Sequence, residues 1–252
     1  MRKLIIIITV LLVFVFAADG TIDIANSGME FLEKQNGIIM ENMVNLKTPG
    51  FREVKITSIS NPKNKTVVYS YGHLFIAGPF VNTGKNLDFA LEDKGFFMVK
   101  DNLGKFLLTR DGRFEINENR QLITVSGKFT VLDASRSSIT IPEYKTVKTD
   151  NKGNMYDNDN NQIAQIGIFD IDDYKLLKTV NHVFFYMEDN MSGLIHDAEG
   201  YKLKQGFYEN SNVDYSRLMI KLADTNKYNA NTQLIQTRMK MLDTAIEIVN
   251  KN

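Results

Sequence analysis

At 252 residues, 43% of them hydrophobic, the chain is long enough for one large domain or two modest ones with a real core. Its 30 basic and 30 acidic residues cancel, which removes the counterion-release drive of a polyanion binder and argues against nucleic acid. It contains no cysteine, so disulfides, thiolate metal sites and thiol nucleophiles are excluded together.

The chain opens MRKLIIIITVLLVFVFAADG: Arg2 and Lys3, an apolar run from Leu4 to Ala18, then Asp19 and Gly20. This is the layout of a secretory signal, with Val15 and Ala17 as the small residues for a cut after Ala17. Residues 1–18 are therefore read as a signal-like segment, with an uncleaved anchor as the alternative. The run falls short of the roughly 18 to 20 residues that a spanning helix needs.

From Ile22 an amphipathic stripe follows at Ala25, Met29, Leu32, Asn36, Ile39, Met43 and Leu46, alternating in steps of four and three. Ile24, Phe31 and Ile38 widen the apolar face, while Gly28 and Gly37 each lower intrinsic helicity by about 1 kcal/mol relative to Ala. The predicted helix is marginal alone and needs a partner. It runs into Asn45-Leu-Lys-Thr48-Pro49-Gly50-Phe51. Pro49 lacks a donor and pushes Lys47 and Thr48 out of helical geometry, Gly50 permits a turn, and Phe51 anchors the exit.

From about Thr57 to Gln205 the texture changes to short runs rich in Val, Ile, Phe, Tyr and Thr between polar turns. TVVYSY, GFFMVK, KFLLT, RFEIN, QLITV, KFTVL, SITI, QIGIFDI and HVFFYM all read as strands of an antiparallel all-β region. Asp111-Gly112, between KFLLTR and RFEIN, is predicted to form a two-residue primed hairpin turn. The far end repeats the helical stripe at Tyr228, Thr232, Ile235, Met239, Leu242, Ile246 and Val249, with Asp214 or Ser216 available as an N-cap.

The sequence supplies no chemistry that would make it an enzyme. His73, His182 and His196 have no neighbour at metal-ligand spacing, and HExxH, GxSxG and glycine-rich phosphate loops are absent. Asp157 to Gln162 resembles the opening of a calcium loop, but position six is Gln162 and position twelve Ile168, so a solvated turn is the better reading. Asp170, Asp172 and Asp173 read as a strand end ahead of a catalytic carboxylate pair. No cofactor, no metal and no small-molecule substrate are expected.

Four stretches carry a resemblance. They are Asn42 to Phe51; Thr83 to Leu91 with Gly95-Phe-Phe97; Thr109-Arg-Asp-Gly112 with Gln121 to Thr124 and Ser126-Gly127; and Gln205 to Asp214. In this order they resemble elements of the flagellar basal-body rod and hook family, over most of residues 22 to 249. The resemblance implies an α+β chain whose long N- and C-terminal helices pair as a coiled coil around a central antiparallel β domain. Its parts are residues 19–56 and 206–252 as the helical rod core and 57–205 as the β domain. The implied function is mechanical: subunits assemble with copies of themselves and with neighbouring rod and hook subunits, against basal-body rings and the export apparatus, to transmit torque. The implied location is the periplasmic part of the basal body.

The residues expected to matter are Asn45, Thr48, Pro49, Gly50 and Phe51 at the first boundary and Gln205, Gly206, Ser211, Asn212 and Val213 at the second. To these are added the apolar stripes Leu32, Ile39 and Met43 with Ile235, Met239, Leu242 and Ile246. Two features depart from the family pattern. Its members typically leave through the flagellar export channel without a cleaved signal, and the stretch between Phe51 and Gly95 is short beside the distal rod subunit, which leans the reading toward a proximal-rod type. The competing reading is a secreted periplasmic β-rich binding or adhesive protein on a helical oligomerisation stalk.

Overall fold

The computed structural model describes residues 27–61, 66–142 and 147–250. The chain divides into two compact units: residues 1–43, 54–71 and 215–252, and residues 44–53 and 72–214.

The second unit is built on an antiparallel sheet. Its central strands are β5 (Phe96–Lys100) and β6 (Phe106–Thr109), numbered in chain order after β1 (Val54–Asn61), β2 (Thr66–His73), β3 (Phe80–Asn82) and β4 (Phe89–Glu92). Next come β7 (Phe114–Ile116), β8 (Leu122–Thr124), β9 (Thr130–Val131), β10 (Lys148–Thr149), β11 (Asn154–Tyr156), β12 (Gln162–Gln165) and β13 (Ile168–Asp170). The last are β14 (Lys178–Val180), β15 (Phe184–Tyr186), β16 (His196–Asp197), β17 (Lys202–Gln205) and β18 (Phe207–Glu209). The main sheet runs β14-β15-β6-β5-β9-β8-β7, with β13 bridging β5 and β16.

Side chains of a strand alternate between its faces, and here both faces of β5 and β6 are buried. Phe97, Val99 and Leu107 enter one apolar core with Phe89, Phe114 and Leu122. Phe96, Met98 and Leu108 enter a second with Leu132, Phe169 and Phe185. That explains why GFFMVK and KFLLT are continuous apolar runs instead of alternating ones. Each such side chain contributes about 1.5–3 kcal/mol on burial.

Among the described residues one turn design is used five times. Asp101, Asn117, Asp133, Asp150 and Asp157 each pair backbone N–H with the carbonyl four residues on, and each carbonyl accepts from the N–H three residues on. Each side-chain Oδ1 also accepts from the N–H four residues on, at 2.8 to 2.9 Å. The residue three along has positive φ: Gly104, Arg120, Arg136, Gly153 and Asn160. These are three-residue hairpin loops, a type I turn followed by a left-handed residue. Asp157 is thus engaged in its own turn, where its Oδ1 also holds Asp159 N at 2.9 Å.

The helical expectation needs correction. The chain is mostly antiparallel β, with helices α1 (residues 27–44) and α2 (Tyr215–Asn250), and no coiled-coil seam is seen among the described residues. The apolar face of α1 has another partner: Phe31 stacks on Tyr69 of β2 at 6.3 Å, and Lys34 lies 5.1 Å over the same ring. Asn42 is buried and bonds Val54 at both ends, donating to its carbonyl and accepting from its N–H at 2.8 Å each. Of the predicted stripe, Ile39 is buried while Leu32 and Met43 are half-buried. Ile235, Met239, Leu242 and Ile246 lie within α2, but their side chains fall outside the described ones. Among the described side chains, Gln236 Nε2 of α2 donates to Met29 Sδ of α1 at 2.9 Å. A stripe records which face of a helix is apolar, and β1–β2 can satisfy it as well as a second helix.

The Asp111-Gly112 hairpin is also corrected. β7 pairs with β8 instead of β6, and Gly112 does not have positive φ. Gly112 is required by space: a Cβ there would overlap the carbonyl oxygen of Phe89.

Candidate functional site

The two stretches singled out at the helix–β boundaries meet within the second unit. Thr48-Pro49-Gly50-Phe51 forms a tight turn, Phe51 N donating to Thr48 O at 3.2 Å, with Pro49 supplying the fixed φ and Gly50 the positive φ of 74°. Thr48 Oγ1 donates to Asn45 Oδ1 at 3.0 Å. Gly50 N then donates to Glu209 O at 2.8 Å, and Glu53 N to Asn212 Oδ1 at 2.6 Å. Asn212 Nδ2 donates to Leu74 O and Ile76 O at 2.6 and 3.0 Å. One side chain thereby joins three segments of chain.

Gln205 works in the same way. Its Nε2 donates to Asn86 O and Val147 O at 2.7 and 2.8 Å, and its Oε1 accepts from Thr149 N at 3.0 Å. Gly206, at φ 81°, turns its carbonyl to Thr83 N and Gly84 N. Ser211 is buried and its Oγ accepts from Val213 N at 3.3 Å. The structure brings the two boundaries together; the apolar stripes belong to the other unit.

At the centre lies a cluster that sequence reasoning missed. Arg52, Glu209 and Arg110 are 2%, 0% and 3% exposed. Glu209 Oε1 accepts from Arg52 Nη2 at 2.7 Å and from Gly78 N at 2.7 Å, and its Oε2 accepts from Arg110 Nε at 2.7 Å. Arg110 spends its remaining nitrogens on Gly95 O and Leu91 O, at 2.6 and 2.7 Å. Burial, partly offset by Glu209 and reinforced by the charge of Arg110, pulls the Arg52 guanidinium down to about 10. The available signal was charge at the ends of apolar strands, Arg110 after KFLLT and Glu209 in GFYEN, since such charges are rarely buried unless paired.

No catalytic constellation forms from the candidates named above. Asp170 Oδ1 accepts from Ile171 N at 2.9 Å and Tyr174 OH at 2.8 Å. Burial and that carboxylate push the Tyr174 hydroxyl well above its ordinary range. Asp173 caps a short 3-10 helix through Lys175 N, and Asp172 is fully exposed, 3.5 Å from His196. Among the described residues no group of His, Asp and Glu is arranged to hold a metal ion.

Comparison with known proteins gives this architecture a family. Residues 90–168, the heart of the main sheet, match the family model of the flagellar hook protein FlgE/F/G D1 domain. Over 240 residues the chain is 31% identical to the flagellar basal-body rod protein FlgF of Rhizobium meliloti, covering 89% of this chain and 95% of that one. The chain belongs to the flagellar basal-body rod protein family. It is 25% identical over 247 residues to FlgF of Caulobacter vibrioides, with 92% and 99% covered. It is 27% identical over 259 residues to the rod protein FlgG of Borreliella burgdorferi, with 88% and 95% covered. This is a family of structural proteins and not of enzymes, and the alternative of a secreted adhesive protein finds no support in these relatives.

Proposed function

We propose that this chain is a structural subunit of the basal-body rod, joining copies of itself and neighbouring rod and hook subunits so that torque passes along the shaft. The observation that carries the reading is the closure of residues 45–53 onto residues 205–213 through Asn212, Glu209 and Arg52. Within the second unit, buried, charge-assisted bonds thus hold the two boundary segments to one another, so that load on either is shared by both. Exposed Met40, Ile220 and Met241 on α1 and α2 leave apolar surface for neighbouring subunits.

The short stretch between Phe51 and Gly95 supports the proximal-rod type. A periplasmic position, and use of residues 1–18 for delivery, rest on the signal-like sequence; residues 1–26 lie outside those described. The test is a deletion strain complemented with the full chain or with a version beginning at Asp19, scored by motility and by electron microscopy of isolated basal bodies. Loss of rod and hook, restored by the full chain alone, is expected. Intact flagella in the deletion strain would overturn the reading.

A further inference from the structure

The buried cluster adjoins a cleft. This cleft, of about 440 Å³, has Arg52 and Arg110 at its floor and Phe75, Ile76, Phe96 and Tyr174 along its walls. The three aromatic rings pack on one another, Phe75 to Tyr174 at 4.8 Å and to Phe96 at 5.8 Å, so the walls are continuous. Two guanidiniums share one carboxylate, Glu209, which leaves one positive charge without its counterpart in the cluster.

The donors are unequally used. Each Arg110 nitrogen has an acceptor at 2.7 Å or less. Arg52 has Glu209 on Nη2 and, on Nη1, its neighbour's carbonyl at a long 3.4 Å. A guanidinium carries five N–H groups, so Arg52 retains donor capacity beside the cleft. At the mouth stand Asp93, Lys94 and Glu199, all exposed. Their fields are damped by water to about 1 kcal/mol at 4 Å, whereas a charge near the protein interior acts several-fold more strongly. The floor therefore dominates what the cleft selects.

We propose that this cleft receives an Asp or Glu side chain, flanked by an apolar residue, from a neighbouring rod subunit. The carboxylate completes the charge balance of Arg52 and Arg110, and the aromatic walls take the apolar flank. Such a socket ties docking to the buried charges that join the two boundary segments of the chain. The inference rests on the rod reading above and goes beyond it by naming the contact chemistry.

Replacing Arg52 would disturb the fold itself, so the test leaves the cluster intact. Ile76, half exposed on the wall, is replaced in the full chain by the photo-crosslinking residue p-benzoylphenylalanine, and basal bodies are isolated after irradiation. The expected product joins position 76 to a segment of another rod subunit with Asp or Glu within two residues of the attachment. Substituting that acid by Lys should then reduce the crosslink at least tenfold. Capture of a segment without an acid, capture of a protein other than a rod subunit, an undiminished crosslink after the Lys substitution, or no intermolecular product from basal bodies that contain the protein would each overturn the socket. Absence of the protein from basal bodies would overturn the rod reading itself.

Discussion

Arg52 and Glu209 lie 157 positions apart in the chain, yet they meet at 2.7 Å with both side chains buried. Removing one partner of a buried ion pair leaves an uncompensated charge out of water, which costs about 3–5 kcal/mol. Glu209→Gln strands two guanidiniums at once. It is expected to lower the urea midpoint by a loss at or above the top of that range. A loss near 1 kcal/mol would show that water reaches the cluster.

Gly50 and Gly104 separate two reasons for a glycine. Both have positive φ, 74° and 85°, and a side chain in that region costs roughly 1–2 kcal/mol. At Gly104 nothing lies within 4 Å of an added Cβ, whereas at Gly50 it would overlap the backbone nitrogen of Asp111. Gly104→Ala is therefore expected to cost about 1–2 kcal/mol. Gly50→Ala should exceed it clearly and slow the recovery of native fluorescence on refolding, because the turn at Pro49 must open to admit the methyl group. Equal losses by thermal denaturation would reject the close-approach argument.

The same contrast explains what could be read in advance. Pro49-Gly50 is local chemistry, and its turn was legible because φ preferences act within four residues. The strands KFLLT and GFFMVK were legible as apolar runs. The Arg52–Glu209–Arg110 cluster was not, since pairing across 157 positions leaves no local periodicity. The helical stripe misled about its partner because Phe31 finds Tyr69 as readily as a second helix. Asp111-Gly112 misled because Gly112 is there for room against Phe89, while the hairpin dipeptide rule assumes a turn.

The repeated hairpin loop yields a substitution series. Asp150 Oδ1 accepts from Lys152 N and Asn154 N at 2.9 Å each, and Asn117 fills the same place in its own loop. An amide oxygen serves as acceptor there, so Asp150→Asn should keep the Oδ1 bonds and lose the one from Asn154 Nδ2 to Oδ2 at 2.8 Å, costing less than Asp150→Ala, which loses about 1 kcal/mol, the usual loss of a side-chain cap. The acid keeps one further advantage. Partial burial of Asp150 raises its pKa, but the bonds from Asn154 and Lys152 outweigh this and hold it below the ordinary value. Its contribution is present above the unfolded pKa of about 3.9 and fades as pH falls through the lower folded value. The stability gap between wild type and Asp150→Asn should accordingly shrink on acidification below about pH 4; a constant gap would reject the assignment.

His196 provides a pH signal of opposite sign. Its pKa is raised, first by the hydrogen bond of Nδ1 to Asp197 O at 3.0 Å and further by the charge of Asp172, 3.5 Å from Nε2. A raised folded value favours the folded state fully below the unfolded pKa of about 6.5, and the contribution disappears as pH rises through the folded pKa. Because both side chains are largely exposed, salt screens the Asp172 part. Titration of the three histidine rings by NMR should place His196 above 6.5. Asp172→Asn should bring it down without reaching the ordinary value, because the backbone bond remains. High salt should imitate the substitution in the wild type and have little effect in the variant. A His196 titration that ignores both salt and Asp172 would show that the Asp197 carbonyl alone holds the proton.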